Sequence, residues 1–134
     1  MRNGLVTGAV VCLVALVAAG TALALSGPVT GFVSPDKPKS ERHVLGADGS
    51  WVEFELKDNR FVCRAAYKPF GRTELVEETI FSLDAEKLAA AVGKPQLDSI
   101  AYDGTRVATI AVTKAEIDGP TIKRVEYKIG VLMI

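Results

Sequence analysis

The sequence predicts a mainly β (α+β) fold: an N-terminal transmembrane or signal helix, then a small antiparallel sheet domain of about six strands with one short helix. Three observations lead there. An uncharged apolar run occupies the N-terminus. Apolar and polar residues then alternate with period two through most of the chain. Asp-Gly pairs at 48–49, 103–104 and 118–119 punctuate that alternation with the chemistry of tight turns. The organisation read from this is a membrane anchor or signal segment over residues 1–25, a Pro/Gly-rich spacer over 26–40, and a β-rich extracytoplasmic domain over 41–134.

The first element is Leu5–Leu25. Between Arg2 and Asp36 there is no charged side chain. At a rise of about 1.5 Å per residue a helix over this run covers about 30 Å, the thickness of a bilayer's hydrocarbon core. A soluble helix of that length needs a polar face, and this one has none, so insertion into lipid is the physical solution. Two readings compete. Met1-Arg2 and the small-x-small pattern Ala22-Leu23-Ala24 fit a cleavable signal peptide. The length favours an uncleaved signal-anchor, because a signal peptide's apolar region usually spans roughly 7–15 residues. Cys12 follows Val11 rather than a small residue, which argues against a lipoprotein. Gly4 and Gly8 have the spacing of a helix-dimer contact, but a segment this rich in Ala and Gly produces such pairs by chance. Arg2 and the terminal amine favour an inside N-terminus, with Lys37, Lys39 and Arg42 pulling the other way from near the limit of the rule's reach. The expected placement is a single-pass protein with its domain outside the cytoplasm; the alternative is export and cleavage.

Ser26–Ser40 contains three prolines and two glycines, which stop a helix and read as an extended spacer. Strands follow. Glu41–Leu45 precedes the Asp48-Gly49 turn. Val52, Phe54 and Leu56 alternate with Trp51, Glu53 and Glu55; Phe61, Cys63, Ala65 and Tyr67 alternate with Val62, Arg64 and Ala66. Lys57–Arg60 reads as the hairpin turn between them. Thr79–Leu83 is a short apolar-rich strand, although Leu75, Val76, Thr79 and Ile80 also have helical spacing. Asp84 then caps a short helix with the stripe Leu88, Ala91 and Val92, stopped by Gly93 and Pro95. Leu97–Tyr102, Arg106–Thr113 and Thr121–Leu132 complete the strands.

The composition excludes several functions. The 16 basic and 16 acidic side chains balance, so no basic footprint for nucleic acid exists. His43 is the single histidine, which rules out a histidine-based metal cluster. No Gly-x-Ser-x-Gly nucleophile, phosphate loop or calcium loop occurs, and no cofactor is implied. Cys63 and His43 form a conceivable dyad, but Cys63 falls on the inward side of a strand and reads as a core residue. The carboxylates Glu53 and Glu55, and Glu74, Glu77 and Glu78, read as a solvated face rather than an acid–base pair.

Two segments remain as candidate contacts. Arg64, Tyr67, Lys68, Phe70 and Arg72 are the densest mixture of basic and aromatic residues and run from a strand end into a Pro/Gly loop, a setting suited to a protein partner or lipid headgroups. Val131, Leu132, Met133 and Ile134 are four consecutive apolar residues where alternation fails. Burial within the domain as a central strand is the preferred reading of that tail, and cover by a partner chain the other. The function read from all this is a membrane-tethered accessory or interaction domain without catalytic activity, a small subunit of a larger assembly. Its partners are the bilayer, through the N-terminal helix, and a protein. The alternative is a secreted or periplasmic binding module. N-terminal sequencing of material from the native host separates the two: the anchored form retains Met1-Arg2, whereas a mature chain starting at Leu25 refutes anchoring.

Overall fold

A computed structural model describes residues 28–69, 72–103 and 105–133, with the backbone alone at Asp103. The segment Leu5–Leu25, with Gly4, Gly8 and Cys12, lies outside the described residues, as do Phe70, Gly71, Gly104 and Ile134. Among the described residues no helix is long and apolar enough to cross a membrane.

Among the described residues the strands are β1 (Val29–Val33), β2 (Ser40–Val44), β3 (Trp51–Lys57), β4 (Arg60–Tyr67), β5 (Val76–Leu83), β6 (Asp98–Asp103), β7 (Arg106–Asp118) and β8 (Thr121–Met133), with one helix, α1 (Ala85–Ala91), between β5 and β6. They form two four-stranded antiparallel sheets. The first has the order β1-β8-β7-β6, the second β2-β3-β4-β5. Eight strands thus stand among the described residues where about six were expected. The strand without a counterpart in the sequence reading, β1, corrects the spacer reading of residues 26–40. Val29–Val33 pairs with β8 from Val29↔Ile129 to Val33↔Val125, so the folded domain begins before residue 41. The reason is visible at Gly31: the position that should carry an inward side chain instead lies opposite Tyr127, whose ring fills the space.

The local chemistry explains the remaining elements. Asp58 and Asn59 both have positive φ (52° and 57°), the twist a two-residue β-hairpin requires. The β7–β8 turn centres on Gly119-Pro120, with positive φ at Gly119 (61°), where the missing Cβ removes the penalty. Asp84 caps α1, its carboxylate accepting the Lys87 backbone N–H at 2.9 Å, and Gly93 at φ 82° ends it. Leu75–Ile80, whose spacing also suited a helix, is strand from Val76 onward, paired with β4.

The core lies between the sheets. The second sheet contributes Val52, Phe54, Phe61, Cys63 and Ala65, the first Val33, Ala108, Ile110, Val112, Val125, Tyr127 and Ile129, and α1 adds Leu88. Phe54 stacks on Tyr127 at 3.9 Å between centroids and on Phe61 at 5.7 Å. Each such buried side chain contributes roughly 1.5–3 kcal/mol, against about 0–1 kcal/mol for a surface ion pair, so this aromatic seam dominates the joining of the sheets.

The two ends of the sandwich differ. At the turn end, the β3–β4 and β7–β8 hairpins meet: Asn59 donates through Nδ2 to the Pro120 carbonyl (2.6 Å) and accepts the Ile122 backbone N–H through Oδ1 (2.9 Å). At the opposite end the chain enters β1, and here lie the β2–β3 loop, the end of β4, the start of β5, and the last residues of β8. Gly46 of the β2–β3 loop sits close to the Tyr102 ring of β6, which ties the two sheets at this end.

Asn59 therefore has two separable roles, a left-handed backbone and a hydrogen-bonded bridge. Asn59→Gly removes only the bridge and is expected to cost about 1–2 kcal/mol by chemical denaturation. Asn59→Ala removes both and should cost roughly 1 kcal/mol more. Equal losses would contradict the strain argument.

Candidate functional site

Two clusters of side chains have chemical character. The first is interior. Strand β2 is an edge strand, and its Glu41 and His43, two residues apart, share one face. Both reach the Tyr127 hydroxyl across the gap between the sheets. The phenol donates to Glu41 Oε1 at 2.6 Å, and His43 Nε2 lies 2.7 Å from the Tyr127 hydroxyl oxygen. Since the phenol's one proton goes to Glu41, Nε2 carries a proton and donates it to the phenol oxygen. Glu41 Oε1 also accepts the Phe32 backbone N–H at 3.1 Å. A Cβ on Gly31 would lie 2.6 Å from both Glu41 Oε1 and the Tyr127 hydroxyl, so this close approach requires glycine.

The environment sets the protonation states. Burial, reinforced by the hydrogen bond to Glu41, pushes the Tyr127 phenol far above its ordinary pKa, so it remains protonated. Burial pushes the His43 imidazole below its ordinary value of 6.5, a shift that the nearby Glu41 carboxylate partly opposes. Cys63 is fully buried, and desolvation raises its thiol far above the usual range. A thiolate nucleophile needs the opposite shift. His43 is engaged through Nε2 with the Tyr127 hydroxyl. Among the described residues no group of three or more His, Cys, Asp or Glu side chains is placed to hold a metal ion.

The second cluster lies on the outer face of the second sheet. The register places Arg42, Glu53 and Arg64 side by side across β2, β3 and β4. Glu53 accepts from Arg42 (3.3 Å) and Arg64 (3.2 Å), and Arg64 also meets Glu77 at 2.9 Å. Trp51 lies against both guanidinium groups, Arg42 at 3.7 Å from the ring centroid and Arg64 at 5.7 Å. Arg64 was a contact candidate on sequence grounds; Arg42 and Trp51 were not, because their proximity depends on strand register.

Within the basic–aromatic group Arg64, Tyr67, Lys68, Phe70 and Arg72, the described members have different surroundings. Arg64 faces outward, whereas Tyr67 packs against the core and donates its hydroxyl to Glu78 at 2.5 Å, a bond that raises the phenol's pKa. Lys68 lies beyond the strand, near enough to Asp48 to act on its charge, and Arg72 is exposed. Phe70 lies outside the described residues.

The apolar tail also departs from expectation. β8 is a central strand, as anticipated, and Val131, Leu132 and Met133 pair with Ala108, Val107 and Arg106. Internal burial, however, fails for two of them: Leu132 is 55% exposed and Met133 67%. Leu132 points to the outer face, and Met133 lies at the end of the strand, past the β1 pairing that stops at Ile129. Ile134 lies outside the described residues. Comparison with protein-family models, curated proteins and solved structures found no match.

The depressed His43 pKa has a stability consequence. Above about pH 6.5 the imidazole is neutral in both folded and unfolded chains, and its contribution is constant. As pH falls below that value the unfolded chain takes up a proton that the folded chain resists, so stability declines until the folded-state pKa is passed. Chemical denaturation between roughly pH 8 and pH 5 should show this decline, and His43→Gln, which retains a donor to Tyr127, should flatten it. An unchanged slope in the variant would refute the assignment.

Proposed function

We propose that this chain is a membrane-tethered extracytoplasmic accessory domain that binds a protein partner and performs no catalysis, as a small subunit of a larger membrane assembly. The charge-free run Leu5–Leu25 supports the tether. The observation that carries the binding role is the Trp51 ring held between Arg42 and Arg64 on an open sheet face. Tryptophan, tyrosine and arginine dominate interface hot spots because they combine large contact area with directional polar groups. Here Glu53 and Glu77 already hold the guanidinium groups in place, which reduces the ordering cost of binding. The non-catalytic reading rests on the engagement of Glu41, His43 and Tyr127 with one another and on the desolvated Cys63 thiol. A second reading, release as an exported binding module, is favoured by the Ala22-Leu23-Ala24 pattern alone.

Affinity capture of the full-length chain in mild detergent tests the binding role. A partner retained by the wild type and by Lys123→Ala should be lost with Trp51→Ala, with affinity reduced about 30-fold or more, as for a hot-spot residue. Equal retention by all three would remove this face from consideration.

A further inference from the structure

Among the described residues, the end of the sandwich at which the chain enters carries most of the exposed large hydrophobic side chains. Among the described residues, the exposed large hydrophobic side chains are Leu75, Val92, Leu132 and Met133. Three of these four belong to the entry end. Leu132 and Met133 continue β8 past Ile129, the residue opposite Val29. Leu75 precedes β5 and lies beside Gly49 of the β2–β3 loop. Pro28 and Leu132 line the same shallow groove, so the incoming chain adjoins the exposed apolar residues.

The connection upstream is short. Only Ser26, Gly27 and Pro28 separate Leu25 from Val29. Four extended steps cover at most about 14 Å at roughly 3.3–3.6 Å each. The headgroup layer on one side of a bilayer takes up about 5–8 Å of that length. A domain on such a leash cannot stand far from the surface, and the end it presents is the one carrying Leu132 and Met133.

We propose that the entry end of the domain rests on the bilayer, with Leu75, Leu132 and Met133 in the boundary between headgroups and acyl chains. This rests on the reading of Leu5–Leu25 as the membrane segment of the same chain. A lipid surface is the occupant that the leash delivers at high effective concentration, so weak intrinsic affinity suffices. The attraction is apolar. Lys68, Arg72 and Arg106 share this end with Asp48 and Glu74, so no single-sign field draws the domain to anionic lipid. Contact therefore persists at high salt and on zwitterionic membranes.

The test uses the full-length chain carrying Cys12→Ser, so that an introduced cysteine is the accessible thiol, Cys63 being fully buried. Met133→Cys at the entry end and Asp118→Cys at the turn end are labelled in turn with an environment-sensitive fluorophore. Each is reconstituted into phosphatidylcholine vesicles with or without phosphatidylglycerol, and flotation establishes membrane association. Brominated acyl chains should quench the probe at 133 at least about twofold and leave the probe at 118 unchanged, in either lipid and at high salt. A chain that floats without quenching at 133 overturns this proposal and leaves the tether intact. A chain that does not float overturns the tether and this proposal with it. A blue shift at 133 that ignores the bromines and grows with protein density assigns the surface to a second copy and also overturns it.

Discussion

A buried phenol governs the arrangement of this domain. Tyr127 sits fully buried on the inner face of the first sheet, stacked on Phe54 of the second. A hydroxyl in that position costs more than its ring gains unless it is bonded. The partners come from β2, an edge strand of the other sheet, through Glu41 and His43. This requirement constrains three further features. β2 must lie against the first sheet. Residue 31 must lack a side chain. The β1 backbone must pass close enough for Phe32 to donate to the same carboxylate. The corner where the chain leaves one sheet for the other is thus specified by polar satisfaction as much as by apolar burial, an arrangement in which each member restricts the others.

That constraint explains which parts of the fold the sequence disclosed. Alternation identified β3 and β4 because their inward positions carry Val52, Phe54, Phe61 and Cys63, all fully buried. The turns at Lys57–Arg60 and Asp118-Gly119 and the helix after Asp84 were legible because capping and left-handed backbone impose residue types locally. β1 was not legible. Its inward positions read Val29, Gly31 and Val33, and the central one is glycine because Tyr127 occupies the space that a side chain would fill. Prolines on both sides completed the likeness to a spacer. The Glu41–Tyr127–His43 cluster was hidden for the same reason: its members lie 84 and 86 residues apart across the Tyr127 bonds, and only the pairing of the sheets unites them.

Register likewise governs the outer surfaces. Glu53, read as part of a solvated face, does lie on that face, but between Arg42 and Arg64 its side chain is only 17% exposed. The cross-strand ladder Arg42–Glu53–Arg64 neutralises two guanidinium groups partially while keeping them against Trp51. The apolar tail misled in the opposite sense. Four apolar residues in succession imply burial only where both faces of a strand are covered. β8 keeps alternating through Leu132, which therefore faces outward, and Met133 extends past the covered part of the sheet.

The difference between the two ends bears on how such a domain can be displayed. Asn59 couples the β3–β4 and β7–β8 turns through two backbone partners, the Pro120 carbonyl and the Ile122 N–H. At the entry end, apolar side chains protrude beside the incoming strand. A domain free in water gains nothing from that polarity, and exposed leucine and methionine invite association. A domain fixed at a surface gains orientation from it. On the tethered reading proposed above, the sandwich axis would run away from the membrane, and the Arg42–Trp51–Arg64 face, on the flank of the second sheet, would be presented sideways to a neighbour in the same plane. Because β1 joins the first sheet within a few residues of the apolar segment, that presentation would be held by backbone hydrogen bonds to β8 and not left to a flexible spacer.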